Sequence, residues 1–326
     1  MNNIKKIGVL TSGGDSPGMN AAIRAVVRTA IAIGWEVIGI RRGYQGMMEG
    51  DFMPMATTDV SNIIQKGGTI LKTARSKEFM TDEGREKAFR QLQSNNIDAL
   101  VLIGGDGTFR GATAFFNSYQ IPAIGIPGTI DKDLSGTDFT IGFDTAVNTA
   151  VEAIDKIRDT AESHDRLFVV EVMGRDAGYI ALNSGISCGA EDILMPETPT
   201  QIQEIIQRID ADERRKKLVH LIVTAEGDEF GGADHVLTLL KERFPNKDIR
   251  AAILGHIQRG GAPTYADRVL ASRLGYAAVK ALQEGRHLQM VGIVNNVVIF
   301  THFENVVKQH CCMQSDMLEM IPVLSA

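Results

Sequence analysis

Residues 99–108 have the sequence ALVLIGGDGT, which indicates the fold class of this chain. Its first five residues form an apolar run of strand length, and a glycine-rich loop with a single aspartate follows directly. A second apolar run, at residues 123–126, leads in the same way into PGTIDKD at residues 127–133. In an open α/β sheet, ligands bind at the edge where buried strands meet such loops. The two loops therefore mark a candidate ligand site.

Short apolar runs alternate along the whole chain with longer segments of helical periodicity. Strands are expected at residues 7–10, 37–40, 99–103, 123–126, 167–172, 193–195, 218–224, 249–254 and 291–294. Helices are expected at residues 19–33, 140–161, 202–214, 234–244 and 265–284. The spacing of a one-sided helix is seen in Ile202, Ile205, Ile206 and Ile209. The alternation predicts an α/β protein with parallel sheets covered on both faces, and the pattern restarts after the long helix at 140–161 as a second domain would.

Composition narrows the class of protein. A chain of 326 residues is long for one core, and 44% hydrophobic with 23% charged residues is ordinary for a soluble enzyme. The net charge of −6 argues against a general nucleic-acid binder, and no apolar run has the length of a membrane span. Cys188, Cys311 and Cys312 form neither a metal-ligand spacing nor a disulfide framework. We therefore expect a cytoplasmic protein with reduced thiols and no membrane or nucleic-acid partner.

The loop TSGGDSPGMN at residues 11–20 follows the first strand and precedes a helix. Ser16 before Pro17 predicts a helix N-cap with proline in the first turn. The N–H groups and the dipole at such a helix start favour an anion such as a nucleotide phosphate. The loop matches neither the dinucleotide fingerprint nor the Walker lysine loop. A tight turn that needs glycine for backbone reasons alone remains an equal alternative.

The loop GGDGT places Asp106 between residues without bulk. A phosphate-bound Mg²⁺ can approach such a carboxylate closely, and Mg²⁺ needs only one or two carboxylates when phosphates and water complete its shell. The alternative is a capping aspartate for a helix that begins near Thr108.

In PGTIDKD, Asp131 and Asp133 are two residues apart, so in an extended segment both would point to one side. A carboxylate within hydrogen-bond reach of a sugar hydroxyl can accept its proton as the oxygen attacks. Thr129 could orient the acceptor or a transferring oxygen. A turn with two solvated aspartates is the alternative for this spacing alone.

Three further polar clusters follow expected strands. Arg175 follows the strand at 167–172, Glu226 follows the strand at 218–224, and Arg259 lies in HIQRGG after the strand at 249–254. Guanidinium groups pair well with phosphoryl oxygens, and a carboxylate can bind sugar hydroxyls. Several such clusters at strand ends favour one shared cleft.

Together these segments resemble the bacterial ATP-dependent 6-phosphofructokinases. The resemblance runs from about residue 4 to residue 296 and is carried by GVLTSGGDSPGMNAAIR, IGGDGT, GTDFTIGFDTA, EVMGR and LGHIQRGG. It implies two Rossmann-like three-layer α/β/α domains with mainly parallel sheets, the phosphofructokinase fold. It also implies a regulated homotetramer that transfers the γ-phosphoryl group of Mg-ATP to O1 of D-fructose 6-phosphate, the committed step of glycolysis. The implied ATP-binding domain is 1–142 plus about 258–306, and the implied fructose 6-phosphate-binding domain is 143–257 plus about 307–326.

The resemblance also assigns residues to roles. The catalytic group is Gly14, Thr129, Asp131, Asp133 and Arg175. The ATP contacts are Gly14, Tyr44, Arg75, Ser76, Gly105, Asp106, Gly107 and Thr108. Of these, Asp106 also binds the metal. The fructose 6-phosphate contacts are Thr129, Ile130, Asp131, Arg166, Met173, Gly174, Arg175, Glu226, Arg250, His256, Ile257, Gln258 and Arg259. The resemblance implies that two of these residues, Arg166 and Arg250, bind the 6-phosphate in the site of a neighbouring subunit.

A second basic set matches the family's effector site, where ADP or phosphoenolpyruvate would bind between subunits. Its basic members are Arg24, Arg28, Arg158, Arg215 and Lys217, and the resemblance adds Gly189 and, as a metal or hydroxyl contact, Glu191. Without the resemblance, a solvated basic face is the better interpretation of these residues.

The phosphoryl donor can be argued from two glycines. Relatives that use pyrophosphate carry aspartate where Gly107 stands and lysine where Gly128 stands, and those side chains occupy space that a nucleoside needs. The two glycines therefore favour ATP.

The chain departs from the family in three places. Lys132 stands where the family has asparagine, and a cation beside Asp131 could weaken that base or reach a phosphate. Asn62 replaces an acidic residue near the effector site, and the likeness is faint from residue 297 onward.

Two rival functions follow from these observations. An NAD kinase shares the GGDGT loop, but that loop gives no reason for the later clusters around Asp131, Arg175 and Arg259. A catalytically weak, effector-binding subunit is the second rival, motivated by Lys132 and the altered tail.

Overall fold

The structure is a computed structural model that describes residues 4–215, 219–229, 231–308, 313 and 315–324. The chain divides into two compact units. Unit 1 comprises Met1–Ile130, Leu134–Thr145 and Arg259–Gln309, and unit 2 comprises Asp131–Asp133, Ala146–Gln258 and His310–Ala326.

In the described residues the strands are, in chain order, β1 (Lys6–Thr11), β2 (Glu36–Ile40), β3 (Phe52–Pro54), β4 (Ala99–Gly104), β5 (Ala123–Pro127), β6 (Leu167–Val172), β7 (Asp192–Leu194), β8 (His220–Ala225), β9 (Ile249–Ile253), β10 (Gln289–Val294) and β11 (Val297–His302). The α-helices are α1 (Met19–Ala32), α2 (Gly43–Glu49), α3 (Asp82–Ser94), α4 (Asp106–Tyr119), α5 (Phe143–Glu162), α6 (Tyr179–Ser187), α7 (Ile202–Arg214), α8 (Gly232–Arg243), α9 (Tyr265–Gln283) and α10 (Ser315–Leu324). Short 3-10 turns lie at Glu78–Met80, Gly255–Arg259 and Phe303–Asn305.

Unit 1 contains a sheet in the order β11-β10-β5-β4-β1-β2-β3, in which only the edge strands β3 and β11 run antiparallel to their neighbours. The central strand β4 is buried along its whole length because helices cover both faces of the sheet. Ile23 of α1 and Leu274 of α9 belong to the core on one face. Leu92 of α3 and Phe109 of α4 belong to the core on the other face.

Unit 2 contains a parallel sheet in the order β7-β8-β6-β9. One of its cores joins Val169 of β6 to Ile205 and Ile209 of α7 and to Val236 of α8. The isoleucine spacing seen in the sequence is thus the buried face of α7. The mainly parallel sheets with their covering helices confirm the expected α/β fold.

Two helix starts show why these residues form helices where they do. Thr81 accepts a hydrogen bond from the N–H of Gly84 at 3.1 Å and begins α3. Thr264 accepts one from the N–H of Asp267 at 3.3 Å and begins α9. Each hydroxyl binds an N–H group that has no partner inside its helix.

The expected strands are present, with shifts of one or two residues at some ends. The strand expected at 193–195 is β7, and the strand expected at 218–224 is β8, with Leu218 outside the described residues. The helix expected from residue 140 begins at Phe143. No strand is expected from the sequence at β3 or β11, although the first four residues of β11 are apolar. Within the residues that the structure describes, no helix combines the length and the apolar character that crossing a bilayer requires.

Candidate active site

In unit 1, three of the predicted loops leave the same edge of one sheet. β1 pairs in parallel with β4, and β4 pairs in parallel with β5, so that Gly104 lies opposite Pro127. The next strand in the chain, β2, pairs with one edge of β1, whereas β4 pairs with the other edge of β1. The strand order therefore reverses between β1 and β4, which is where open α/β sheets bind ligands.

The glycine loop after β1 is held by its neighbours. Thr108 donates from Oγ1 to the carbonyl of Ser12 at 3.2 Å. Arg259 donates from Nη1 to the carbonyl of Asp15 at 3.2 Å. A Cβ atom on Gly14 would lie only 2.8 Å from that same Nη1. A side chain at this position would therefore displace the Arg259 guanidinium group, a cation suited to phosphate.

The predicted N-cap at Ser16 is wrong. α1 begins at Met19, and its N-cap is Gly18 in a left-handed conformation with φ 105°. Ser16 is fully buried, and its Oγ has no hydrogen-bond partner among the described residues. The turn at Gly18 moves the helix start past Pro17, so a serine before a proline did not identify the cap.

Asp106 is the first residue of α4, and Gly105 is the N-cap without a side-chain cap. The interpretation of Asp106 as the cap of a helix starting near Thr108 is therefore wrong. Its side chain is 11% exposed and forms an ion pair with Arg110 at 2.6 Å. No group of three or more metal-ligating side chains exists in the described part of the chain. The Asp106 carboxylate is an oxygen ligand of the kind that Mg²⁺ prefers, and Mg²⁺ can take one carboxylate from a protein and its other oxygens from phosphates and water.

The space above the GGDGT loop is open in unit 1. A Cβ atom on Gly107 would meet no heavy atom within 4 Å, and one on Gly105 would meet only Thr129 Cβ at 3.9 Å. Gly128 is more enclosed, because its Cβ would lie 3.1 Å from both Ile103 and Met19. A side chain at position 107 would therefore meet no obstruction near its Cβ atom.

Tyr44, expected to contact ATP, is buried beneath this loop. It stacks on Phe79 at 4.0 Å between ring centroids, and its hydroxyl donates to the carbonyl of Thr108 at 2.6 Å. Burial raises the pKa of that hydroxyl, so it remains a donor. Arg75 is exposed, and the Ser76 hydroxyl accepts the N–H of Phe79 at 3.2 Å. Tyr44 thus supports the loop from the core.

Asp131, Lys132 and Asp133 belong to unit 2. Both aspartates are buried, at 7% and 8% exposure, so the alternative of two solvated aspartates is wrong. The expected extended segment is also wrong, because Lys132 has a left-handed backbone with φ 54°. A left-handed residue redirects the chain, so alternation cannot place the two carboxylates. The ammonium group of Lys132 lies 5.3 Å from the centroid of the Tyr179 ring.

The loops after β6 and β8 are joined in unit 2. The N–H of Arg175 donates to Oε1 of Glu226 at 2.7 Å, and Arg175 has φ 54°. A Cβ atom on Gly227 would lie 1.9 Å from the Arg175 carbonyl. Both Arg175 and Glu226 are exposed. Glu226 therefore holds the backbone from which the Arg175 guanidinium extends.

The loop after β9 contributes Gln258 to the same edge of the unit 2 sheet. Its Oε1 accepts the N–H of Met173 at 3.0 Å, and its side chain is fully buried. Its Nε2 has no hydrogen-bond partner among the described residues. His256 and Ile257 in the same segment are exposed. Met173, Gly174, Arg175, Glu226 and Gln258 are thus brought together as expected.

Arg166 and Arg250 are joined by a residue that the sequence analysis did not include. Asp248 forms ion pairs of 2.6 Å with Nε of each arginine, one through each carboxylate oxygen. These hydrogen bonds, from Arg166 first and then Arg250, hold the pKa of Asp248 below its usual range. The two-residue spacing between Asp248 and Arg250 was the only signal for this contact. Of the residues assigned to fructose 6-phosphate, Thr129, Ile130 and Arg259 lie in unit 1 and the others lie in unit 2.

The residues assigned to the effector site lie in both units. Arg24 and Arg28 lie on α1 of unit 1. Arg158 of unit 2 donates from Nη2 to the carbonyls of Cys188 at 2.6 Å and Gly189 at 2.8 Å. Its guanidinium thereby caps the end of α6.

Two more of these residues line a cavity of about 410 Å³ in unit 2, namely Glu191 and Arg215. Glu191 is buried and its Oε2 accepts the N–H of Leu221 at 2.7 Å. Lys217 lies outside the described residues.

Comparisons with known proteins identify the family of this chain. The family model "Phosphofructokinase" matches residues 6–282. The ATP-dependent 6-phosphofructokinase 1 of Thermus thermophilus is 55% identical over 322 residues, which is 99% of this chain and 100% of that protein. The ATP-dependent 6-phosphofructokinase of Cytophaga hutchinsonii is 54% identical over 322 residues, which is 99% of this chain and 98% of that protein.

Solved structures show the same fold. The phosphofructokinase from Saccharomyces cerevisiae superimposes with a TM-score of 0.87 at 38% identity, over 97% of this chain and 46% of that chain. This chain therefore spans about half the length of the yeast chain. A pyrophosphate-dependent phosphofructokinase from Marinobacter aquaeolei has a TM-score of 0.83 at 25% identity, over 94% of this chain and 84% of that chain. Because the family match includes every loop described above, this chain belongs to the phosphofructokinase family.

Proposed function

We propose that this chain transfers the γ-phosphoryl group of ATP to O1 of fructose 6-phosphate, giving fructose 1,6-bisphosphate and ADP in glycolysis. Family membership supports the reaction, and the relatives at 54% and 55% identity are named as ATP-dependent enzymes. The observation that carries the choice of donor is the open space at Gly107, beside the partly buried Asp106 and the glycine loop after β1. A nucleotide needs this space.

Unit 1 is proposed as the ATP-binding domain. The N–H groups of the two glycine loops face the phosphates, and the Arg259 guanidinium, which lies against Gly14, adds positive charge. Asp106 would hold Mg²⁺ together with phosphate oxygens. That ion supplies charge neutralisation on the phosphates when it is bound.

Asp131 is proposed as the base. As O1 of fructose 6-phosphate attacks the γ-phosphorus, a new O–P bond forms and the bond to the bridging oxygen of ADP breaks. The proton of the attacking hydroxyl passes to the Asp131 carboxylate, which is 7% exposed, so little water competes for its oxygens. Arg175 stabilises the charge on the transferring group, and Thr129, Asp133 and Gly14 are the remaining members of the catalytic group that the family resemblance implies.

Unit 2 is proposed as the fructose 6-phosphate-binding domain. Glu226 and His256 bind sugar hydroxyls, and Met173 and Gly174 shape the site beside them. Arg166 and Arg250, held by Asp248, bind the 6-phosphate of a neighbouring subunit in a homotetramer. Because that role joins two subunits, activity would depend on assembly.

Regulation is proposed at the residues that the resemblance assigns to the effector site. ADP or phosphoenolpyruvate would bind between subunits at the effector residues, whose basic members suit phosphate groups. The members within the described residues are Arg24, Arg28, Arg158, Gly189, Glu191 and Arg215.

Steady-state turnover tests the proposed function. With fructose 6-phosphate and Mg-ATP we expect product formation that saturates in both substrates. With pyrophosphate in place of ATP we expect negligible turnover. NAD as the acceptor, with ATP as the donor, serves as the control for the rival kinase. Turnover with NAD or pyrophosphate but not with the expected pair would contradict the proposal, and so would tight nucleotide binding without any turnover.

A further inference from the structure

Lys132 occupies an unusual backbone conformation between two buried carboxylates. Its φ of 54° lies in the left-handed region, while Asp131 and Asp133 are 7% and 8% exposed. For most residues with a Cβ atom this region is unfavourable, and asparagine tolerates it better than lysine does. The conformation therefore needs support from a contact elsewhere in unit 2.

Tyr179 provides such a contact. The Lys132 ammonium lies 5.3 Å from the centroid of its ring, which is within the range of a cation–π interaction. Tyr179 is 8% exposed and is the first residue of α6, so its ring is held by the body of unit 2. A buried ring binds a cation more strongly than an exposed one, because water competes less for the charge.

Tyr179 also lies close in the chain to the loop that carries Arg175. Only three residues separate the two, and the N–H of Gly178 donates to Oε1 of Glu197 at 2.8 Å just before the helix begins. The ring is therefore attached to a fixed point beside the proposed fructose 6-phosphate loop. Lys132, which contacts this ring, is the residue next to Asp131 in the chain.

We propose that Tyr179 is a positioning residue for phosphoryl transfer, which acts by holding Lys132 and thereby fixing the backbone that carries Asp131. The proposal rests on the proposed function, because it needs Asp131 to be the base. A loop held by this contact has one dominant conformation, and loss of the contact allows others in which the carboxylate is misplaced. The contact should therefore affect kcat rather than substrate affinity.

The first test compares two substitutions that both remove the charge of Lys132. Lys132→Met has neither the cation nor a side chain suited to a left-handed backbone, so we expect kcat to fall about 3- to 30-fold, the range of one desolvated cation–π contact. Lys132→Asn supports the conformation by itself and should keep most of the activity. KM for ATP and for fructose 6-phosphate should stay within about twofold in both variants. Equal kcat values for the two variants would overturn the proposal, because the charge alone would then explain the effect.

The second test removes the ring in two backgrounds. Tyr179→Leu should lower kcat about 3- to 30-fold in the native chain but by less than about twofold in the Lys132→Asn chain, since no cation remains to be held. Tyr179→Phe keeps the aromatic face and should lie closer to the native value than Tyr179→Leu. An equal loss of kcat in both backgrounds would mean that Tyr179 only supports the fold, and the proposal would be wrong.

A matched control lies in the same unit. Phe244 also packs beside a cation, with Lys247 Nζ at 5.7 Å from its ring centroid, but it is remote in sequence from the loop. Phe244→Leu should leave kcat unchanged, and thermal unfolding of every variant shows that the fold is retained. The unaltered chain is assayed first with ATP and fructose 6-phosphate. Failure at that step refutes the proposed function, whereas failure of only the variant pattern refutes the role of Tyr179.

Discussion

The two units place their candidate site residues in different ways. In unit 1 the loops are built from backbone and glycine, as at Gly14, where a Cβ atom would lie 2.8 Å from the Arg259 guanidinium. In unit 2 the site residues are held by carboxylate side chains. Glu226 accepts the backbone N–H of Arg175, and Asp248 forms an ion pair with Arg166. In unit 1 the harmful change should therefore be an added side chain, and in unit 2 a removed functional group.

The largest effect is expected from removing a functional group in unit 2. Asp131→Ser takes away the proposed proton acceptor, and kcat should fall about 10²- to 10⁴-fold, the usual contribution of a general base. KM values for both substrates should change little, because the serine hydroxyl has about the same place in the loop as the carboxylate but is not basic. Steady-state kinetics with ATP and fructose 6-phosphate measures both.

Asp234→Ser is the control for this prediction. Asp234 is an exposed aspartate in the first turn of α8, in the same unit, and its loss should leave kcat near the native value. If Asp131→Ser kept a near-native kcat, Asp131 would not be the base, and unit 2 would not depend on that carboxylate.

The next effect is expected from adding a side chain in unit 1. Gly107→Asp places a carboxylate in space where no heavy atom lies within 4 Å, so the fold should be unaffected. The new charge would stand beside Asp106 and the phosphates, and like charges in such contact cost several kcal/mol. We expect kcat/KM for ATP to fall by on the order of 100-fold, a loss that this cost can supply.

Gly107→Ala separates the charge from the added volume. It adds only a methyl group, and it should retain much more activity with ATP than Gly107→Asp does. Equal activity of Gly107→Asp and the native chain would show that ATP does not use this space. The proposed donor would then lose its main structural support.

The same difference between the units explains what could be predicted from the sequence. The glycine loops of unit 1 were recognisable because strand, glycine and turn lie within about ten residues of one another. The pairs in unit 2 join residues that are far apart, 51 positions for Arg175 and Glu226 and 82 for Arg166 and Asp248. No local pattern connects such residues. Arg175 and Glu226 were recognised separately, each as a residue that follows a strand, whereas Arg166 came only from the family resemblance and Asp248 and Tyr179 were missed.

The local errors have a related cause. The cap expected at Ser16 and the extended segment expected at residues 131–133 both failed where one residue adopts a left-handed backbone, Gly18 in one case and Lys132 in the other. A glycine makes that conformation easy but does not require it. For Lys132 the supporting contact lies in α6, which a local pattern cannot show.

Unit 1 nevertheless contains a buried carboxylate on which its framework depends. Asp267 is 1% exposed and accepts hydrogen bonds from the N–H of Gly142 at 2.8 Å and from the N–H and hydroxyl of Thr145 at 2.9 and 2.5 Å. It thereby fixes the start of α5 against the start of α9. Asp267→Ala leaves these donors without an acceptor, and we expect a loss of about 3 kcal/mol in the free energy of unfolding.

The pH dependence of that loss has a definite sign. Burial outweighs the hydrogen bonds and raises the pKa of Asp267 above its ordinary value of 3.8. The folded state therefore holds this proton more tightly than the unfolded state. The stabilisation from Asp267 is fully present below pH 3.8 and decreases as pH rises through the higher folded value.

The difference in unfolding free energy between the native chain and Asp267→Ala, measured by denaturant titration, should therefore be larger near pH 4 than near pH 8. A hydrogen-bonded carboxylate without the burial would show the opposite slope. If the difference in unfolding free energy grew with pH, hydrogen bonds rather than burial would control the pKa of Asp267, as they do for Asp248 in unit 2.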